Sequence, residues 1–428
     1  MNRTLPPEIK DIEHFNLLPP VRTVLPNGIP LTIINAGEQE VVRIDLLFAG
    51  GRWQQHHQLQ ALFTNRMLRE GTRKYSATSI AEKLDYYGAW LELSSSAEYA
   101  YITLYSLNKY IGETVEIIES IVKEPAFPEK ELTTVVDSNI QQYLVNLQKV
   151  DFLAHRNLLS SLYGSGHPCG QLVEETDYRN LNVAMLREFY EEYYHSGNCS
   201  IFLSGKVTGE VLRRIESAFG TASFGNIEKK WASKDYPFLT VPEKRTFIQR
   251  PDALQSAVKL GAITLTRHHP DYLKVRVMMT LFGGYFGSRL MSNIREDKGY
   301  TYGISAGILF YPGSGALMIS TEADNEYVDP LIKQVYYEID RLHHDPVPEG
   351  ELTTVRNYML GEMCRNYESP FSLSDAWMFI RTSGLDDAYF TRSLQALKEV
   401  TSQELRELAQ RYLCKETLKE VVAGKKMP

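Results

Sequence analysis

The chain has 428 residues, 43% hydrophobic and 23% charged, with a formal net charge of −7. That length exceeds one ordinary core and the composition is that of a folded, soluble protein, so two or more domains are expected. The acidic balance, with no basic block, argues against a nucleic-acid partner, and no apolar run approaches the roughly 20 residues that span a bilayer.

The first twenty residues mix Arg3, Glu8, Lys10, Asp11 and Glu13 with Pro6 and Pro7, which is neither a secretory signal nor an acid-poor transit peptide. Leu25-Pro-Asn-Gly28 lies between apolar runs and predicts a hairpin, because Asn-Gly readily takes the positive φ of a tight turn. Val41 to Ala49 reads as a strand. Leu59, Leu62, Phe63 and Met67 fall at helical spacing and predict a helix from about His57 to Glu70. A second helix carries Ile80, Leu84 and Tyr87 and stops at Gly88. Tyr99 to Tyr105 alternates with strand period. Ile111, Val115, Ile118 and Val122 share one helix face, and Pro128 opens the next helix. Further on, Val258 to Leu265 reads as a strand, Tyr272 to Phe282 as a helix and Ala316 to Thr321 as a strand. Asn325 is placed to cap a helix running to about Leu342. Cys169, Cys199, Cys364 and Cys414 are scattered with no Cys-x-x-Cys pair, the pattern of free thiols in a reducing, cytoplasmic setting.

The chain repeats itself. Pro128-Glu-Lys-Glu-Leu-Thr-Thr-Val135 recurs as Pro348-Glu-Gly-Glu-Leu-Thr-Thr-Val355, an offset of 348 − 128 = 220. Leu186-Arg-Glu188 recurs as Leu405-Arg-Glu407, and Gly205-Lys206 as Gly424-Lys425, both at 219. Four matches at nearly one offset, counting Tyr193 with Tyr412, mark two homologous domains in tandem. Strand runs followed by helix pairs give an α+β fold, each domain a mainly antiparallel sheet with helices on one face. The segment 221–243, with Gly225, Pro237, Pro242 and mixed charge, reads as a linker between domains 1–220 and 244–428.

Leu25-Pro-Asn-Gly28, Ala49-Gly-Gly-Arg52, Met67-Leu-Arg-Glu-Gly-Thr-Arg-Lys-Tyr-Ser76, Gly88-Ala89 and the run from Gly284 to Tyr302 together resemble the insulinase (pitrilysin) family of zinc peptidases, over nearly the whole chain. The resemblance places the family's His-x-x-Glu-His motif on Leu62-Phe-Thr-Asn-Arg66. The first zinc His is then Leu62, the catalytic Glu is Asn65 and the second His is Arg66. The third ligand falls within Asp137-Ser-Asn-Ile-Gln141, which has no Glu. Leucine has no lone pair for zinc, a carboxamide cannot act as the general base, and a guanidinium brings fixed positive charge where a dication would sit. No metal is therefore expected on this chain. The pairs His56-His57, His268-His269 and His343-His344 lack a partner at i+4 and read as surface pairs.

The same resemblance makes Arg295 and Tyr302 the second-domain clamp that grips the substrate backbone and the carbonyl oxygen under attack. A rigid multi-donor fork and a directed phenol suit that task. Gly299 between them favours a helix-to-strand corner. The bland alternative pairs Arg295 with Glu296 or Asp297 and packs Tyr302 into a sheet. The glycine loop is short, unlike the extended loop of the non-catalytic subunit of mitochondrial processing peptidase. The family also implies a substrate strand laid along an edge near Ser94, Ser95 and Ser96. The expected role is a non-catalytic subunit that donates Arg295 and Tyr302 to a zinc-bearing homologous chain, with a peptide or unfolded polypeptide as substrate. The alternative is a homodimeric scaffold or peptide-binding protein with no peptidase role.

Overall fold

A computed structural model describes residues 17–227 and 234–427. The opening segment and residues 228–233 of the expected linker lie outside the described residues.

Eleven strands form two sheets among the described residues. The first holds β1 (Val21–Val24), β2 (Pro30–Asn35), β3 (Val41–Phe48), β4 (Trp90–Ser95), β5 (Ala100–Leu107) and β6 (Cys199–Gly205), ordered β1-β2-β6-β3-β5-β4. The second holds β7 (Arg245–Gln249), β8 (Gln255–Thr264), β9 (Thr301–Tyr311), β10 (Ser314–Asp324) and β11 (Lys419–Gly424), ordered β7-β11-β8-β10-β9. With β1 set aside, the two orders are the same. Each sheet has one parallel pair, β2 with β6 and β7 with β11, and is otherwise antiparallel. The tandem repeat seen in the sequence is thus a repeat of topology.

The helices of the first half are α1 (Gln60–Met67), α2 (Ala77–Tyr86), α3 (Ile111–Lys123), α4 (Glu129–Asn146), α5 (Val150–Tyr163), α6 (Glu175–Arg179), α7 (Val183–Tyr193) and α8 (Gly209–Ile215). Those of the second are α9 (Tyr272–Met279), α10 (Val328–His344), α11 (Glu349–Arg365), α12 (Pro370–Thr382), α13 (Tyr389–Glu399) and α14 (Ser402–Tyr412). Among the described residues none is long and apolar enough to cross a membrane.

Local sequence accounts for many of the ends. Gly28 has φ 93°, closing the β1–β2 hairpin with Gly28 N–H donating to Leu25 O at 2.8 Å. Ser76 caps α2 by accepting from Ser79 N–H, and Gly88 ends that segment at φ 62°. Ile111, Val115, Ile118 and Val122 are all buried along α3. Asn325 is a correction. It does not cap α10, which starts at Val328 without a side-chain cap. Its amide instead donates to Ala253 O and Leu254 O, and its oxygen accepts from Ser256 Oγ at 2.7 Å. Tying two loops together outcompeted capping one helix end.

Each half packs most of its own helices on one face of its sheet. The opposite face is covered by a helix from the other half. α5 lies on β8 and β11, where Ala154, Leu158, Leu162 and Tyr163 cluster with Ala257, Ala316, Met318, Val421 and Ala423. α12 lies on β2 and β6, where Trp377 and Ile380 share a cluster with Ile34 and Phe202. The two helices start 370 − 150 = 220 residues apart, the offset of the repeat. The exchange is therefore reciprocal, and it explains why β3 and β8 are buried along almost their whole length.

Candidate functional site

α1 begins from an unusual backbone. Leu59 has φ 66°, a conformation rare for a residue with a Cβ. The buried side chain of Gln60 fixes this entry: its oxygen accepts from the N–H groups of His56 at 2.9 Å and His57 at 3.3 Å, and its amide donates to Met185 O at 2.8 Å. The helix is thereby pinned to α7 and cannot rotate freely.

With that register, Leu62 is half-buried against the first core. Asn65 is wholly buried; its amide donates weakly to Tyr101 O at 3.4 Å and to the Tyr194 hydroxyl at 3.3 Å. Among the described residues the Oδ1 of Asn65 has no partner. Arg66 donates to the Asn139 carboxamide on α4, and its guanidinium lies 5.9 Å from the Phe63 ring centroid. Asn139 falls within the Asp137–Gln141 stretch, so α4 does face the α1 positions, but through an amide. Asp137, the carboxylate of that stretch, is exposed. Leucine, amide and guanidinium are not a zinc donor set. Among the described residues no group of three His, Cys, Asp or Glu converges to hold a metal.

The histidine pairs are at or near the surface. His56 meets Glu192 at 3.4 Å, His343 contacts Ala409 O at 3.0 Å and His344 contacts Asp340 O at 2.8 Å.

The second half presents Arg295 and Tyr302 from a corner. Gly283 lies against β9, and a Cβ there would sit 2.6 Å from Ala306 Cβ, so only glycine allows this approach. A π-helical turn over Met291–Asp297 carries Arg295. It ends where Gly299 takes φ 67° and Tyr300 N–H donates to Ile294 O at 3.0 Å. Tyr302 is the second residue of β9. The predicted helix-to-strand corner is thus observed.

Arg295 is half-buried, with its guanidinium 4.5 Å from the Phe286 ring centroid. Tyr302 is 90% exposed. Among the described residues no carboxylate pairs with Arg295 and no side-chain hydrogen bond engages either residue. The alternative in which Arg295 pairs with Glu296 or Asp297 and Tyr302 packs into the sheet does not describe this geometry. Behind the corner, sequence reading missed a polar network. Asn293 donates to the fully buried Glu338 at 2.6 Å, and Arg289 grips Glu351 at 2.8 and 2.9 Å. These contacts hold the turn against α10 and α11.

Ser94 and Ser95 lie on β4, which among the described residues is an edge strand paired only with β5. Ser96 is past its end, and its hydroxyl is engaged with the Tyr99 backbone at 3.1 and 3.2 Å.

Residues 33–174 match the family model described as Insulinase (Peptidase family M16), and residues 180–359 match that described as Peptidase M16 inactive domain. The chain belongs to the insulinase (M16) family. It is similar to an uncharacterized zinc protease, YmxG, of Bacillus subtilis, with 24% identity over 80% of this chain and 83% of that protein. It is also similar to a Helicobacter pylori protein named a non-peptidase homolog, with 25% identity over 70% of this chain and 69% of that one. In fold it matches a Pseudomonas fluorescens structure titled as a peptidase M16 inactive domain, with a TM-score of 0.82, 22% identity and coverage of 96% and 100%. A Helicobacter pylori structure titled as a protease gives a TM-score of 0.83 at 15% identity, covering 95% of this chain and 100% of that one. The matches to a model described as an inactive domain and to a relative named a non-peptidase homolog fit an inactive member of the M16 family, and Leu62, Asn65 and Arg66, on which the resemblance places the motif, offer neither zinc ligands nor a general base.

Proposed function

We propose that this M16 homologue is the non-catalytic subunit of a two-chain metallopeptidase, presenting Arg295 and Tyr302 to a peptide held at the zinc of a homologous partner chain. The observation that carries the reading is the contrast between two sets of polar groups. Asn65 and Arg66 have contacts inside the chain, whereas Arg295 and Tyr302 stand at a corner with their donors uncommitted among the described residues.

A guanidinium fork and a phenol can bind a peptide carbonyl and the oxyanion formed when a metal-bound water attacks it. The free edge of β4, carrying Ser94 and Ser95, can accept an extended peptide as an added strand. The Helicobacter pylori relative named a non-peptidase homolog is consistent with a role other than hydrolysis by the chain itself.

The test is reconstitution. The chain is coexpressed with a zinc-bearing M16 relative from the same genome, and cleavage of an unstructured peptide is measured. Arg295→Ala and Tyr302→Phe are expected to lower kcat/KM of the pair by about 10²-fold, the scale of losing an oxyanion donor. Unchanged cleavage with Arg295→Ala would sink the clamp. A stable self-dimer that recruits no zinc-bearing relative would favour the scaffold reading.

A further inference from the structure

A cleft of about 670 Å³ lies between segments from both halves of the chain. Its walls are the β4–β5 turn, the β9–β10 turn, the segment after β8 and the C-terminal end of α12. Arg52, Arg267 and Arg381 all line it, together with His268. Among the described residues Glu98 is the only carboxylate in that lining. Among the described residues, none of the three arginines forms an ion pair.

The donors in this cleft outnumber its acceptors. Each guanidinium carries five N–H groups. Arg267 commits one, from Nη1 to Ser383 Oγ at 3.2 Å, and its plane rests 4.5 Å from the Phe310 centroid and 4.9 Å from that of Phe379. Arg52 lies 5.8 Å from the Trp53 centroid. The aromatic rings hold these cations in place but accept none of their in-plane hydrogens. Among the described residues the Nε atoms of Arg52 and Arg267 are buried without an acceptor. Buried donors without acceptors are costly, and three like charges around one cleft repel each other. The chain as a whole is acidic, so this cluster is not background.

We propose that this cleft is a binding site for a small, multiply charged anion, a compact cluster of carboxylate or phosphate oxygens, that bridges the two halves of the chain. The volume is that of a small-molecule site. Anionic oxygens would accept from the forks of Arg52, Arg267 and Arg381 at once, with Tyr99 also lining the cleft. The proposal is independent of the Arg295 and Tyr302 clamp.

The test uses the intact chain and two probes, citrate and inorganic pyrophosphate, titrated calorimetrically at constant ionic strength. Saturable binding of one anion per chain is expected for at least one probe, and which one binds identifies the carboxylate or the phosphate class. Arg381→Gln, on an exposed position, and Arg52→Gln should each weaken binding at least tenfold while leaving the circular dichroism of the free chain unchanged. A saturating anion should raise Tm of the parent chain more than that of either variant. Absence of saturable heat with both probes, many weak sites per chain, or unchanged affinity in both variants would overturn the proposal.

Discussion

The carboxylate of Asp375 on α12 lies 2.6 Å from Nη2 of Arg43 on β3. A helix of the second half thus completes a charge of the first sheet. Arg43 also bonds Asp45 at about 3 Å, and Asp45, wholly buried, accepts from Thr103 Oγ1 at 2.7 Å. Arg43→Gln would leave Asp45 buried without its counter-ion and should cost about 3–5 kcal/mol in chemical denaturation. Asp375→Asn removes a half-exposed partner and should cost less than about 1 kcal/mol. Equal losses in the two variants would contradict this account of the cluster.

Acid stability should hide two opposing titrations. His167 is buried among Tyr163, Trp53 and Tyr236, and its Nδ1 accepts from Cys169 N–H at 3.1 Å. Burial and the nearby Arg52 charge lower its pKa to about 4. The unfolded chain binds this proton below about 6.5 and the fold does not, so stability is lost as pH falls from about 6.5 to 4, by on the order of 3 kcal/mol. Burial pushes the Asp45 carboxyl up to about 6. The fold therefore binds that proton before the unfolded chain does, and stability is gained as pH falls from about 6 to 4. Denaturation midpoints at pH 6.5, 5 and 4 should fall with acid in Asp45→Asn and rise in His167→Gln. Identical acid profiles for both variants and the parent would refute the assignment.

Gly261 on β8 lets α5 approach the second sheet. A Cβ there would sit 2.7 Å from Leu317 O and 3.0 Å from Leu158 Cδ2. Gly261→Val should destabilise by roughly 1–3 kcal/mol through overpacking, and Leu158→Ala by about 2–5 kcal/mol through a cavity. In a double-mutant cycle with Gly261→Ala, the Leu158→Ala change should relieve part of the clash, giving less than additive losses. Strict additivity would place α5 elsewhere.

Metal binding should be recoverable only if α4 takes part. Leu62→His/Asn65→Glu/Arg66→His supplies two imidazoles but leaves the Asn139 amide opposite them. Adding Asn139→Glu should raise zinc content per chain well above that of the triple variant, measured by elemental analysis after dialysis. No difference between the two would mean that Asn139 does not face the restored positions.

Much of the scaffold was legible because local chemistry decided it. Asn27-Gly28 made its hairpin, Gly88 ended its segment, and the apolar face of α3 was buried as its spacing required. The corner between Arg295 and Tyr302 followed from Gly299. The exchanged helices were not legible, because amphipathicity says that a face is buried but not against which sheet. Arg43 and Asp45 alternate with Val42, Ile44 and Leu46, a pattern that ordinarily marks a face open to water, yet α12 covers it. The arginine-lined cleft was hidden for a related reason: positions 52, 267 and 381 share no period and meet only through topology. Asn325 misled because a good capping residue can be claimed by a distant backbone.

The reciprocal placement of α5 and α12 gives the single polypeptide the wiring of an arm-exchanged pair of half-length chains joined tail to head. Neither portion can bury its sheet without the other, so a break within either would expose two apolar surfaces at once. The contacts that join the portions run through α5 and α12 and not through residues 62, 65 and 66, so a substitution there can be read without disturbing the seam.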